Sequence, residues 1–102
     1  DMIGHENLNI KIPADTPKQL IRSYNAARDK LGLKNHFGKS PGSFLDDHYP
    51  MNVIATIPTI DLIGDFSANK WWHTSADSID IISEKSLSMS IHMTMEILSN
   101  HL

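Results

Sequence analysis

The chain contains no cysteine. That excludes a disulfide framework and any thiolate metal site, and it leaves the redox compartment open. Positive charge is thin: Lys and Arg number 9 against 12 Asp and Glu, for a formal net charge of −3. Nucleic acid is therefore not expected as the main partner, because neutralising phosphates needs clustered cations. The longest apolar runs fall far short of a bilayer's thickness, so no membrane span is expected. No His-Glu-x-x-His motif is present. Gly38-Lys39-Ser40 has the look of a phosphate loop, but that motif needs another glycine five positions earlier, and Leu33 stands there. A polar turn is the expectation instead. No signal peptide is visible, and the chain opens on Asp1 rather than Met, which leads us to expect a processed or excised piece.

The 102 residues allow one domain at most. With 40% hydrophobic and 21% charged residues, the composition is that of an ordinary globular protein with a modest core. Met2-Ile3-Gly4 reads as the end of a buried strand. Leu8, Ile10 and Ile12 alternate with Asn9 and Lys11, the period of a half-buried strand, which Pro13 stops. Thr16 is expected to cap a helix over about 17–31, with Pro17 at its first position, a core stripe of Leu20, Tyr24, Ala27 and Leu31, and Gly32 as the left-handed residue after it. Residues 33–50 read as loop, and Met51 to Ile54 as the start of a short helix or strand. Ile57 to Gly64 reads as a buried strand in which Pro58 sits at a tolerated early position. Asp61 is its one charge, either facing the surface or placed for function. Asp65 to Ile82 is a second long loop. Ser83 is expected to cap a final helix over about 84–101, whose core stripe is Leu87, Ile91, Met95, Leu98 and Leu102. Met89, Met93 and Met95 fit adaptable core packing, and His92 and His101 fit the helix surface. The order of strands and helices is an α/β pattern.

Three polar stretches sit where strands end, the edge at which open α/β sheets bind ligands. They are Asp1, then Asp46-Asp47-His48-Tyr49-Pro50, then Trp71-Trp72-His73-Thr74-Ser75-Ala76-Asp77-Ser78. Neutral imidazole and carboxylate are the usual ligands of a catalytic zinc, and an indole beside them gives a substrate an apolar wall. The alternative is that His73 is an ordinary loop histidine and the aspartates are turn and capping residues. His48 is expected to orient its loop by hydrogen bonding, and Asp77 to brace the His73 loop by accepting backbone N–H bonds.

Taken together, these landmarks make the chain resemble the C-terminal part of the zinc-dependent exopeptidases. That family contains the bacterial zinc aminopeptidases and, as a close branch, the glutaminyl-peptide cyclotransferases. The matching residues are Asp1-Met2-Ile3-Gly4, Asp46-Asp47-His48-Tyr49-Pro50, Ile57-Pro58-Thr59-Ile60-Asp61-Leu62-Ile63, and Trp72-His73-Thr74 with Asp77. The resemblance implies part of a mixed, mostly parallel sheet with helices on both faces, so that residues 1–102 would be the C-terminal portion of one catalytic domain. It also implies one or two zinc ions. In the peptidase branch Asp1 and His73 would be ligands, and a metal-polarised carbonyl would be hydrolysed. In the cyclotransferase branch His73 would hold a single zinc, Asp1 and Asp46 would share a carboxylate network, and Trp72 would line the pocket. The substrate would be a peptide with a free N-terminus, and the setting periplasmic or extracellular. Asp47, His48, Asp61 and Asp77 would support the site rather than react.

Some family features are changed or missing. Thr56 precedes Ile57 where the family shows Gly, and His5 follows Gly4. The family's first histidine, bridging aspartate and Glu-Glu pair lie upstream of Asp1, and no His-x-Asp or Glu-Glu occurs here. The upstream part of the domain is expected to complete the site. An exopeptidase is the first reading, a cyclotransferase the second, and a non-catalytic relative the third.

Overall fold

The computed structural model describes residues 1–101. The elements run β1 (Ile10–Ile12), α1 (Lys18–Leu31), β2 (Phe37–Lys39), α2 (His48–Val53), β3 (Ile63–Gly64), a 3₁₀ turn (Ile79–Ile81) and α3 (Glu84–His101). The sheet is mixed, in the order β2-β1-β3. Ile10 to Ile12 pair in parallel with Phe37 to Lys39, and Ile10 and Lys11 pair antiparallel with Gly64 and Ile63. Leu8, Ile10, Ile12 and Phe37 form one core cluster with Tyr24 and Ala27 of α1 and Met93 and Ile97 of α3. Fully burying an apolar side chain of this size contributes about 1.5–3 kcal/mol. Both long helices thus cover one face of the sheet, joined by Lys30 Nζ to Glu96 Oε1 at 2.8 Å and by Asn100 Nδ2 donating to the Ser23 carbonyl at 3.3 Å.

Helix α1 follows its sequence. Leu20, Tyr24 and Ala27 are buried, Leu31 packs against the core, and Gly32 ends the helix at φ 66°. A left-handed residue there lets the next amide turn back, and the Leu33 N–H donates to the Arg28 carbonyl at 3.0 Å. Its start differs from expectation. Pro17 occupies the capping position, and Thr16 Oγ1 donates to the Pro13 carbonyl at 2.6 Å instead.

Helix α3 has the expected bounds, and Ser83 Oγ accepts from the Ser86 N–H at 3.3 Å as a cap should. Its core face is corrected. Ser86, Ser90, Met93 and Ile97 are buried, whereas Leu87, Ile91, Met95 and Leu98 are exposed; Leu102 lies outside the described residues. The helix carries two stripes, and the small serines face inward because they admit close approach. Ser90 Oγ, for instance, donates to the Ile3 carbonyl at 2.8 Å.

Three further expectations change. Met2 takes φ 53°, which breaks extension, so residues 2–4 form no strand. In the run from Ile57, only Ile63 and Gly64 pair as a strand, and the Leu62 carbonyl before them accepts from the Asp1 amine instead. Residues 55–60 are held as a loop by Asn52, whose side chain bonds the Thr59 carbonyl at 2.9 Å and the Thr59 N–H at 2.7 Å. The segment expected as loop over 33–50 contains β2 and the start of α2.

Candidate functional site

Asp1 is fixed beside β3: its amine donates to the Leu62 carbonyl at 2.9 Å, and the Gly64 N–H donates to the Asp1 carbonyl at 3.0 Å. Gly64 must be glycine, since a Cβ would collide with the Met2 carbonyl oxygen. Asp46 and Asp61 meet as a hydrogen-bonded pair of carboxylates. The Asp47 N–H donates to Asp46 Oδ1 at 2.8 Å. The bond from Asp61, then that from the Asp47 amide, holds the Asp46 carboxyl below its ordinary range. Burial, then the neighbouring Asp46, pushes Asp61 up to about 6. Two carboxylates this close do not both ionise freely, so Asp61 keeps its proton to a higher pH than a lone aspartate would.

His48, the first residue of α2, has a side chain 1% exposed, with Nδ1 3.3 Å from Asp61 Oδ2 and Nε2 3.9 Å from Asp15 Oδ1. The edge of Phe44 lies against it, ring centroids 5.7 Å apart. Neither ring nitrogen makes a hydrogen bond among the described residues, so the orienting bond expected of His48 is not formed; the imidazole instead stands between two carboxylates.

The loop that follows β3 brings up the aromatic wall. Asp65 Oδ1 accepts from Ser67 Oγ at 2.6 Å and from the Ser67 and Ala68 amides, which turns the chain. Phe44, Phe66 and Trp72 then form a ladder, with centroid spacings of 5.9 and 5.0 Å, and Trp72 stacks on His73 at 3.9 Å. His73 is exposed and takes φ 57°. A left-handed backbone costs a non-glycine residue about 1–2 kcal/mol. Thr74 closes the turn: its Oγ1 donates to the Trp71 carbonyl at 2.6 Å and accepts from the Ala76 N–H at 3.2 Å. The bracing expected of Asp77 comes from Thr74; Asp77 is exposed, and its own N–H donates to the Thr74 carbonyl at 3.1 Å.

Asp1, Asp46, Trp72 and His73 all line one open cavity of about 370 Å³, together with Phe44 and Phe66. Asp61 is bonded to Asp46 and lines an adjoining cavity that Asp1 also borders. Asp47 and Asp77 are exposed and lie outside these linings. Phe44, Phe66 and Asp15 were not singled out in the sequence. The two phenylalanines sit within a few residues of the polar motifs, which is the signal that marks them.

The donor chemistry of Asp1 and His73 suits zinc. Among the described residues, however, no three His, Asp or Glu side chains are grouped to hold a metal ion. Catalytic zinc sites use three protein ligands. The chain therefore fits as the source of at most two members of such a set.

The model of peptidase family M28 matches residues 1–98. No curated protein matches the chain. Among solved structures, two of Porphyromonas gingivalis glutaminyl cyclase are 26% identical, with TM-scores of 0.83 and 0.85; each match covers 100% of this chain and 40% or 38% of that one. A glutaminyl cyclase of an Acidobacteriales bacterium is 27% identical with a TM-score of 0.82, covering 97% of this chain and 36% of that one. The chain spans 36–40% of the length of these solved relatives.

Proposed function

The chain belongs to peptidase family M28, and from that premise we propose that it is the C-terminal portion of a zinc-dependent catalytic domain that cyclises N-terminal glutamine to pyroglutamate. The observation that carries this reading is the Asp46–Asp61 pair, bonded together beside the cavity lined by Trp72 and His73. In cyclisation the α-amine nitrogen attacks the γ-carboxamide carbon. A C–N bond forms, another breaks, and ammonia leaves. The attacking nitrogen loses a proton and the leaving nitrogen gains one, so no water and no net proton are consumed. A carboxylate whose pKa is raised to about 6 by its partner suits that exchange, since ionised Asp61 can take up the first proton and return the second. Zinc held through His73 would polarise the γ-carboxamide carbonyl. Trp72 and Phe66 supply an apolar wall that orients the substrate and keeps water out. The glutaminyl cyclase structures among the solved relatives support the same reading.

The second reading is a zinc exopeptidase. It is favoured by Asp1 and His73 bordering one cavity, as ligands of a metal centre would. In either case the partner is a peptide with a free N-terminus, not nucleic acid, in an exported setting. The rest of the domain would supply the missing ligands. No described helix is long and apolar enough to cross a membrane.

The test is assay of the whole polypeptide on a peptide with N-terminal Gln beside an aminoacyl-anilide, with metal analysis of two variants. For the cyclase, Asp1→Asn and Asp46→Asn each keep one zinc and lose turnover, by about 10²–10⁴-fold for the proton-handling residue Asp46. For a two-metal peptidase, Asp1→Asn loses one metal equivalent while Asp46→Asn loses none. Full activity in both variants would leave a non-catalytic relative.

A further inference from the structure

The proposed chemistry does not use His5. It is 2% exposed. Its Nε2 accepts the Asn9 N–H at 3.2 Å, which assigns the proton to Nδ1. Burial lowers the pKa of the ring. Its ring lies against Trp71 with centroids 5.3 Å apart and planes tilted by 52°.

The ring thus meets the middle of the long loop that carries Trp72 and His73, while the backbone around His5 holds the two ends. The loop enters where the Asp65 N–H donates to the Asn9 carbonyl at 2.8 Å. It leaves where His5 pairs with Ile82, the Glu6 N–H donates to the Ile81 carbonyl at 2.7 Å, and the Ser83 N–H donates to the Gly4 carbonyl at 2.9 Å. Between these points, Asn69 Nδ2 donates to the Asp65 carbonyl at 2.6 Å and stands 3.5 Å from His5 Nε2. Trp71 is half-buried, whereas Trp72 and His73 after it are exposed. His73 also has a left-handed backbone, which does not persist unless its surroundings hold it.

We propose that His5 is a positioning residue: by packing on Trp71 it pins the loop so that Trp72 and His73 are presented at the cavity. The meaning of that presentation rests on the proposed function; the pinning itself does not. The test is therefore read without substrate. Lys70 is exposed and immediately precedes Trp71, so tryptic cleavage after Lys70 reports release of the loop. Cleavage after Arg22 in α1 reports global opening. In the whole polypeptide, His5→Leu should raise cleavage after Lys70 by roughly three- to tenfold, the range expected for loss of one aromatic contact, with Arg22 unaffected. Trp71→Leu should give the same rise, and the double variant no more than either, because both remove one interaction. If His5→Leu does not fold, Trp71→Leu carries the test alone, since it alters a half-buried side chain. An unchanged rate after Lys70 in folded His5→Leu or in Trp71→Leu, a matching rise after Arg22, or effects that multiply in the double variant would overturn the proposal. Glutamine cyclisation measured on the same samples bears on the function separately.

Discussion

Where α1 and α3 cover β1, Ile10, Tyr24, Ala27 and Met93 are wholly buried. At the cavity edge, His73 is exposed on a left-handed backbone, Trp72 is 39% exposed, and two carboxylates are held together. The first region is low in energy residue by residue. The second contains costs that isolated residues avoid: a backbone φ that side chains disfavour, and like groups forced to share a proton. The lesson is a division of labour. Packing of the helical layer stabilises the molecule, and that stability is what lets the edge keep an unfavourable but useful geometry.

The contrast can be probed from both sides. The largest effect is expected at the edge. In the whole polypeptide, His73→Ala should abolish turnover and weaken metal retention. With metal removed from both proteins, its unfolding free energy should stay within about 0.5 kcal/mol of wild type, because the side chain is exposed. Normal turnover in that variant would remove His73 from the site. Trp72→Ala should lower turnover with metal content kept. The core should respond in the opposite way. Tyr24→Ala is expected to cost about 3–5 kcal/mol in denaturant unfolding, since it empties a fully buried site and also deletes the hydroxyl that donates to the Gly38 carbonyl at 2.7 Å. A cost below 1 kcal/mol would mean that the layer does not carry the stability.

A smaller effect should depend on pH. Asp61 holds its proton up to about pH 6 in the fold, against an ordinary value of 3.8. A raised pKa means that the folded state binds the proton more tightly. The resulting stability is complete below about pH 4 and is lost as pH rises through about 6. In Asp61→Asn the amide mimics the protonated acid at every pH. Thermal melts should therefore show the variant gaining on wild type between those two values and levelling off above them. A constant gap would mean that Asp61 does not titrate in the pair. The smallest effect is expected on the outer stripe of α3. Ile91 is 61% exposed, so Ile91→Ser should change the stability of the whole polypeptide by no more than about 0.5 kcal/mol. A larger loss would show that something covers that stripe.

How far the sequence reached depended on how local each signal was. Helix α1 has one apolar stripe and a glycine stop, so its bounds and its buried face were both legible. Helix α3 has a serine start signal and apolar residues on two faces, so its bounds were legible and its buried face was not. Strand β2 offers one apolar residue, Phe37, and no alternation to betray it. At the site, Asp46, Trp72 and His73 stood out as motifs. Asp61 also stood out, as the one charge in an apolar run, but its pairing with Asp46 did not, nor did the contacts of Asp15 with His48 and of His5 with Trp71, because each spans the fold.

The sequence by itself determined where the two long helices run, which residues are candidates for chemistry at the cavity, and the family to which they point. Residue spacing and side-chain type suffice for those, since helix periodicity and donor chemistry are local properties. The tertiary structure decided which stripe of α3 is buried, which two of several carboxylates share a proton, and which histidine holds the Trp72–His73 loop. Each of these is a choice among competitors of equal local merit. It is made by distance and burial, which exist only once the chain has closed on itself.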